Sequence, residues 1–149
     1  MSMVDVSEKP EIFREATATG TIKLKAKTTV MIKEGRIAKG DPIHTAKIAG
    51  ILAAKNTSNL IPLCHPLPLT NVEVKVKIEN PTTIRATSKV KTRASTGVEM
   101  EALTATATAL LTIWDMVKQY EKDEKGQYPS TEIGNIRVVK KIKKSSKKD

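Results

Sequence analysis

The sequence predicts a single α+β domain in which an antiparallel β-sheet carries helices on one face. Three observations support this fold class. Two neighbouring segments alternate apolar and polar residues across a short turn, which indicates a β-hairpin. One helical pattern precedes this hairpin and a longer one follows it. The resulting order of strand, helix, strand, strand, helix and strand is typical of a ferredoxin-like βαββαβ sandwich.

The first strand is predicted from Thr21, where apolar and polar residues begin to alternate. Its buried residues are expected to be Ile22, Leu24 and Ala26. Segment 28–34 is compatible with both a short helix and a strand. Gly35 and the run 39–42 then break the pattern, so we expect a turn before the first long helix.

A helix is predicted to begin after Asp41, because its carboxylate can cap free amide groups and Pro42 suits the first helical position. The helix should end near Asn56. Three prolines then fall within the seven positions 62–68, and proline interrupts both helices and central strands. We therefore expect a stiff, buried apolar loop over residues 60–69.

The hairpin consists of residues 72–78 and 84–90, which both alternate apolar with polar side chains. Asn80 and Pro81 supply its turn. From Gly97 to about Tyr120, apolar residues recur with helical spacing, which predicts a long helix. After a polar linker, a short final strand is expected around residues 136–138.

Charge is concentrated at the C-terminal end of the 149-residue chain. The net charge is +10, and residues 137–149 contain seven basic residues and one acid, which leaves +4 for the rest. Such a balance suits nucleic acid, an anionic surface or a polyanionic substrate. We expect one catalytic domain over residues 1–139 and a basic, disordered tail over residues 140–149.

Cysteine and histidine content restricts the possible classes of protein. Cys64 is the only cysteine, and His44 and His65 are the only histidines, so a disulfide framework and a four-ligand zinc cage are excluded. No apolar run is long enough to span a bilayer, and the N-terminus lacks a secretory signal pattern. We therefore expect a cytoplasmic protein without a membrane segment.

Residue types alone leave two interpretations open for every candidate side chain. Cys64 and His65 in the proline loop suit either a pocket wall or structural packing. Glu99 and Glu101 open the long helix, where the helix dipole alone would favour acids. Asp115 lies three residues before Lys118 on the same helix face. This pair suits either a surface ion pair or a partly buried pair tuned for proton transfer.

Lys39 has the same ambiguity, since a lysine in a turn before a helix N-terminus is either an anion ligand or an exposed loop residue. The chain contains neither a phosphate-binding loop of the Gly-x-x-x-x-Gly-Lys type nor a dinucleotide fingerprint. Residue chemistry by itself therefore stops at an α+β domain with a possible anion site.

Six segments, in order along nearly the whole chain, carry a family resemblance. They are Met3-Val4-Asp5-Val6, Arg14-Glu15-Ala16, Lys39-Gly40-Asp41, Leu60-Ile61-Pro62-Leu63-Cys64-His65-Pro66-Leu67, Thr96-Gly97-Val98-Glu99-Met100-Glu101-Ala102-Leu103-Thr104-Ala105 and Asp115-Met116-Val117-Lys118. On these segments the sequence resembles the molybdenum cofactor biosynthesis protein C family, the cyclic pyranopterin monophosphate synthases. Val117 stands where many members carry cysteine.

The resemblance implies a specific reaction. Family members rearrange 3′,8-cyclo-7,8-dihydroguanosine 5′-triphosphate into cyclic pyranopterin monophosphate and release pyrophosphate. The resemblance implies no redox cofactor, and we assign no metal-binding residues. The family fold is ferredoxin-like, and its members form trimers of dimers. We therefore expect a homohexamer with active sites at the dimer interface.

The resemblance also implies roles for individual residues. Asp115 matches the assigned active-site acid, and Lys118 and Lys39 match lysines implicated in catalysis. The residues matched to substrate binding are Leu63, Cys64, His65, Glu99, Met100, Glu101 and Arg14. Because Glu101 and Asp115 would be about 21 Å apart on one continuous helix, we expect the site to be shared between two subunits. The alternatives are that the extended triphosphate spans most of this distance within one subunit, or that the helix begins after Glu101.

Two rival functions remain. A ferredoxin-like nucleic-acid-binding module would use its sheet as the binding surface, but no aromatic residue lies on a predicted strand. A catalytically silent scaffold would keep the fold without the chemistry, and the intact Asp115, Lys118, Lys39 and His65 argue against it.

Overall fold

The computed structural model describes residues 1–145 and confirms the predicted α+β, ferredoxin-like class. Its elements are β1 (Ile12–Lys23), α1 (Ala26–Lys33), α2 (Pro42–Lys55), α3 (Thr57–Leu60), β2 (Leu69–Asn80), β3 (Thr83–Ala94), α4 (Glu99–Glu121) and β4 (Glu132–Lys144). The strands form one antiparallel sheet in the order β2-β3-β1-β4. Helices α2 and α4 pack against each other and against one face of this sheet.

Strand β1 begins at Ile12, nine residues before the predicted start at Thr21. The missed segment contains Arg14, Glu15 and a run of alanines and threonines, which carries little of the β-branched apolar pattern used for prediction. It is nevertheless a central strand, hydrogen-bonded to β3 on one side and to β4 on the other. Ala26 is exposed and begins α1, so its predicted place inside a strand was wrong.

Helix α2 begins as predicted. The Asp41 carboxylate accepts hydrogen bonds from the backbone amides of Ile43 at 2.9 Å and His44 at 3.1 Å. Gly50 lies where α2 approaches α4 most closely, because a methyl group at this position would stand 3.1 Å from the carbonyl oxygen of Ala105. The small residues of both helices therefore set a short distance between them.

The proline loop is less buried than we predicted. Leu63 is 45% exposed and Pro62 is also exposed, while Cys64 and His65 are half-buried. The prediction assumed that apolar residues in a stiff loop must be covered. Here the loop instead borders a cavity beside the start of α4, so its apolar side chains form a wall rather than part of the core.

Strand β4 corrects the predicted domain boundary. It runs from Glu132 to Lys144, and Lys141 and Lys143 stand opposite Ala16 and Arg14 of β1. Residues 140–144, which we expected in a disordered tail, thus belong to the sheet. Edge strands tolerate lysine because their outward side chains stay in water. Residues 146–149 of the predicted tail lie outside the described residues.

A buried carboxylate joins three parts of the fold. Glu121, the last residue of α4, is fully buried and accepts hydrogen bonds from the backbone amide of Lys25 and the hydroxyls of Thr28 and Thr131. These donors belong to the start of α1 and to the segment that leads into β4. All of them are neutral, so the carboxylate is held by hydrogen bonds rather than by an ion pair.

We expect Glu121→Gln to lower the free energy of unfolding by about 1–3 kcal/mol, because the amide replaces one acceptor oxygen with an NH2 group, a donor that faces other donors. In a chain of this size the melting temperature should fall by about 3 °C or more. Thermal unfolding followed by circular dichroism measures this change. Glu124→Gln, at an exposed position, is the control, and an equal effect of both substitutions would contradict the role given to the network.

Candidate active site

A pocket of about 300 Å³ lies between the proline loop and the start of α4. It is lined by Ile61, Leu63, Cys64, His65, Leu67, Thr96, Gly97, Glu99, Met100 and Glu101. Six of the seven residues that the sequence matched to substrate binding therefore meet in one cavity. We call this cavity the loop pocket.

Glu101 is the most unusual group in the loop pocket. Its residue is only 4% exposed, and neither carboxylate oxygen has a hydrogen-bond partner. Burial, together with the negative charge of nearby Glu99, raises the pKa of Glu101 to about 7 despite its own helical amide. Two unused acceptors in a cavity wall are able to bind a ligand that presents hydrogen-bond donors.

Glu99 behaves in the opposite way, although it lies only two residues earlier. Burial alone would raise its pKa, but a hydrogen bond and the charge from Lys141, its own helical amide and the charge of Arg14 together hold the pKa below the ordinary value. The Lys141 Nζ atom stands 2.6 Å from Glu99 Oε1. The pocket therefore contains one ionised acid and one acid that titrates near neutrality.

This difference leads to a pH-dependent effect on stability. Because the folded chain holds the Glu101 proton up to about pH 7, whereas the ordinary pKa is 4.5, its contribution to stability is complete below pH 4.5. It is lost as the pH rises to 7 and above. We expect Glu101→Gln, which cannot ionise, to gain in melting temperature relative to the unmodified chain between pH 5 and pH 8.

Glu79→Gln is the control, because a hydrogen bond from Arg85, away from the loop pocket, holds the pKa of Glu79 below 4.5 and the group stays ionised between pH 5 and pH 8. Its difference in melting temperature from the unmodified chain should not change over that interval. If the Glu101→Gln difference is equally constant, Glu101 does not titrate near neutrality in the folded chain.

Cys64 and His65 line the loop pocket, and Arg14 lies outside its lining but near enough to Glu99 for its charge to act on that acid. The Nε2 atom of His65 lies 2.7 Å from the carbonyl oxygen of Val4, so the N-terminal segment orients its ring with a hydrogen bond. Burial, and then the charge of Glu101, raises the pKa of the Cys64 thiol, which disfavours a reactive thiolate. Arg14 is buried, donates to the carbonyl of Ser95 at 3.3 Å and leaves its Nε without a partner.

A second cluster lies near the other end of α4. The Lys39 Nζ atom is 3.0 Å from Asp115 Oδ2, and the Lys118 Nζ atom is 3.0 Å from Asp115 Oδ1. Hydrogen bonds from Lys118 and then Lys39 hold the pKa of Asp115 below its ordinary value, and the bond to Asp115 raises the pKa of Lys118. We call these three residues the lysine–aspartate cluster.

The lysine–aspartate cluster is exposed, so of the two interpretations that the sequence left open, the surface ion pair describes the single chain. The Asp115 side chain is 58% exposed and that of Lys118 is 44% exposed. The apolar neighbours Met116 and Val117 turn into the core instead of covering the pair. In the single chain the three groups are therefore a surface ion-pair network, and a second surface would be needed to exclude water from them.

The cluster opens onto a groove of about 490 Å³ lined by Leu111, Trp114, Asp115, Lys118, Tyr128 and Ile133. Sequence reasoning missed Trp114 and Tyr128, whose ring centroids are 5.1 Å apart. It also missed Tyr120, whose hydroxyl accepts a hydrogen bond from the amide of Ala38 beside Lys39. No spacing in the sequence signals the contact between Trp114 and Tyr128, because the polar linker connects them through an irregular path.

The loop pocket and the lysine–aspartate cluster do not meet within one chain. Helix α4 is continuous from Glu99 to Glu121, so Glu101 and Asp115 are separated by about 21 Å along its axis. Among residues 1–145, no group of three or more histidine, cysteine, aspartate or glutamate side chains is arranged to hold a metal ion.

Comparison with known proteins gives a family. The model of the MoaC family matches residues 3–144, which covers the loop pocket, the lysine–aspartate cluster and all four strands. The chain belongs to the MoaC family. The resemblance stated on six motifs is thereby confirmed for the whole described sheet.

Relatives of this MoaC chain are similar over nearly their full length. A protein of Sulfolobus acidocaldarius is 60% identical over 141 residues, which cover 95% of this chain and 98% of the relative. A protein of Pyrococcus horikoshii is 54% identical over 143 residues, which cover 96% of this chain and 89% of the relative. Both carry the name probable cyclic pyranopterin monophosphate synthase.

The nucleic-acid alternative gains no support from the fold or from these relatives. The open face of the sheet is basic, and Lys75, Lys89 and Lys140 line a depression there. Phe13 is, however, the only aromatic residue in β1 to β4. This surface lacks the set of stacking rings with which RNA-binding sheets hold bases.

Proposed function

We propose that this MoaC-family chain is a cyclic pyranopterin monophosphate synthase of molybdenum cofactor biosynthesis. It would convert 3′,8-cyclo-7,8-dihydroguanosine 5′-triphosphate to cyclic pyranopterin monophosphate and pyrophosphate. The proposal depends on one observation: the residues matched to substrate binding meet in the loop pocket, and those matched to catalysis meet in the lysine–aspartate cluster. The chain is also 60% identical to a relative that carries this name. A scaffold without activity would not need to retain both groups of residues.

The lysine–aspartate cluster is proposed to move protons during the rearrangement. Opening and closing rings of the base requires a group that accepts a proton beside groups that donate one. Asp115 is held ionised by two ammonium groups at 3.0 Å and is therefore able to accept a proton, while Lys39 and Lys118 carry protons to donate. The same ammonium groups would stabilise charge that develops on the substrate.

The loop pocket is proposed to bind the substrate, through Leu63, Cys64, His65, Glu99, Met100, Glu101 and Arg14. Its walls are mainly apolar, and a few polar groups stand among them, as is usual for sites that bind small molecules. The free oxygens of Glu101 would accept hydrogen bonds from N–H or O–H groups of the substrate. Arg14, close to Glu99, would contribute positive charge at the edge of the pocket.

A homodimer is proposed to bring the two clusters together. The outward face of α4 carries the small, half-buried residues Thr104, Ala107 and Thr108 between Met100 and Asp115. A second α4 packed antiparallel on this face would place the loop pocket of one subunit beside the lysine–aspartate cluster of its partner. A two-fold axis would make two equivalent sites.

We extend this proposal to a hexamer of three dimers, as the family resemblance implies. Exposed apolar side chains offer additional contact surface, with Ile48 at 50% and Leu52 at 53% exposure. Sedimentation velocity measures the assembly directly, and a monomer at micromolar concentration would contradict both oligomeric proposals.

A cytoplasmic location is proposed from the single cysteine, which suits a reducing compartment. Within the described residues, no helix has both the length and the apolar character that a bilayer crossing requires. Localisation of a tagged chain in its host would test this proposal, and recovery outside the cytoplasm would contradict it.

Release of pyrophosphate from the cyclised nucleotide is the experiment that tests the proposed activity. The purified chain should release one pyrophosphate per substrate and form a product whose mass corresponds to a cyclic monophosphate. GTP, which lacks the additional bond between C8 of the base and C3′ of the ribose, is the control and should release none. A folded, oligomeric preparation without pyrophosphate release would overturn the proposed function.

A further inference from the structure

Three of the four aromatic residues of the chain surround the lysine–aspartate cluster. Trp114 and Tyr128 line the groove together with Asp115 and Lys118, and Tyr120 holds the backbone beside Lys39. The rings of Trp114 and Tyr128 are half-buried, so part of each stays exposed, although Trp114 also packs against the hydrophobic core. A chain with so few aromatic residues has thus placed two of them on one open surface.

The geometry of the two rings restricts how a ligand can use them. Their centroids are 5.1 Å apart and their planes meet at 56°. A flat ligand cannot enter between them, since two stacking contacts would need about 7 Å. It would have to lie against an outer face of one ring, with the other ring at an angle to it. One face of Tyr128 is approached by Lys122 Nζ, 6.0 Å from the ring centroid, which leaves Trp114 and the other face of Tyr128 for the ligand. The groove of about 490 Å³ is large enough for a bicyclic ring.

Polar groups stand beside this aromatic surface. Asp115 offers a hydrogen-bond acceptor and Lys118 offers a donor, and both line the same groove. A guanine-derived base has a π-face for stacking and an edge that carries both N–H donors and a carbonyl acceptor. The groove therefore matches the face and the edge of such a base at the same time.

We propose that Trp114 and Tyr128 form a stacking surface for the base of the guanine-derived substrate and hold it next to Asp115 and Lys118. This inference rests on the proposed function for the identity of the substrate. It adds two residues that neither the family motifs nor the loop pocket include. In this arrangement the rings position the base, while the charged groups act on it.

A second copy of the chain is the other occupant that this groove could take. An apolar contact would have to remove water from Asp115 and Lys118, which are 58% and 44% exposed and whose remaining hydrogen-bonding capacity is met by solvent. A base supplies hydrogen-bond partners to both groups and avoids this cost. The charges in the groove therefore favour the base over an apolar surface placed directly on Asp115 and Lys118, and the base would lie between this groove and the partner's loop pocket in the proposed dimer.

Fluorescence of the single tryptophan gives a direct test, because Trp114 is the only tryptophan in the chain. GTP serves as the probe, since guanine does not absorb where tryptophan emits and quenches it only by close contact. We expect saturable quenching by GTP and none by inorganic tripolyphosphate, which carries the phosphate charge without a base.

Two variants at one position separate the ring from its hydroxyl. Tyr128→Ala should weaken the Kd for GTP by about tenfold or more, as loss of a stacking partner does. The KM for the cyclised substrate should rise in parallel. Tyr128→Phe retains the ring and should restore Kd to within about twofold of the unmodified chain. Phe13→Ala, which removes a ring from the opposite face of the sheet, should leave both constants unchanged.

Several outcomes would overturn the inference. These are failure of GTP to bind in equilibrium dialysis, binding without any change in Trp114 emission, and a Tyr128→Ala variant with unaltered Kd and KM. A Tyr128→Ala variant that changes its oligomeric state but keeps its affinity for GTP would assign the groove to a second copy instead. Loss of the proposed function is distinguishable, because it abolishes pyrophosphate release in the unmodified chain, whereas quenching by GTP is measured without turnover.

Discussion

Asp115→Asn is expected to lower kcat for pyrophosphate release by about a hundredfold or more while the chain remains folded. Asparagine has nearly the same size but cannot accept a proton, and it leaves Lys39 and Lys118 without their shared counter-charge. Because the carboxylate is exposed, the melting temperature should stay close to that of the unmodified chain. Steady-state release of pyrophosphate and thermal unfolding measure the two effects separately.

Lys118→Ala should have a similar effect on kcat, since it removes one of the two proton donors next to Asp115. Glu79→Gln provides the control for loss of an exposed ion pair, because Glu79 pairs with Arg85 at 2.8 Å on the open face of the sheet. That variant should retain normal turnover. Near-normal pyrophosphate release by purified Asp115→Asn would remove Asp115 from the chemistry, whatever the effect of the lysine.

Mixing two inactive variants should restore activity if the active site is shared between subunits. Asp115→Asn disables the lysine–aspartate cluster, and Glu101→Gln disables the loop pocket. In a mixed dimer one site receives both defects and the other receives none. Random exchange of equal amounts should therefore return about a quarter of the unmodified activity, since half of the dimers are mixed and each has one intact site.

This experiment requires that subunits exchange, which differently tagged variants can establish by co-purification. Two Asp115→Asn preparations with different tags form the matched control, because their mixed dimers contain no intact cluster and should stay inactive. Verified exchange without any return of activity would contradict the shared site. The substrate would then have to span about 21 Å along α4 within one subunit.

Periodicity in the sequence was sufficient for the elements that have one buried and one exposed face. The hairpin of β2 and β3 and the long helix α4 were predicted correctly because their apolar residues recur at two-residue and helical spacing. The first half of β1 and the C-terminal half of β4 were missed. These segments are held by pairing with neighbouring strands, so their own composition carries little signal.

The candidate site was predictable in its parts but not in its arrangement. Helical spacing alone places Asp115 next to Lys118, and the family motifs supplied the residues of the loop pocket. The contact of Lys39 with Asp115 joins residues 76 positions apart, and that of Lys141 with Glu99 depends on the missed part of β4. Contacts of this kind follow from the packing of whole elements, which no local pattern contains.

The order of the strands also has a consequence for how the chain is made. The edge of β1 that binds β4 cannot be fully paired until Lys144 has been synthesised, which is 121 residues after Lys23. At typical rates of translation this interval lasts about 6–24 s. An unpaired strand edge that is rich in valine and isoleucine would favour aggregation during such a delay. The alanines and threonines of β1, together with Arg14 and Glu15, make this edge a poorer template for aggregation. The composition that prevented prediction of this strand from the sequence therefore also protects the nascent chain until β4 has been synthesised.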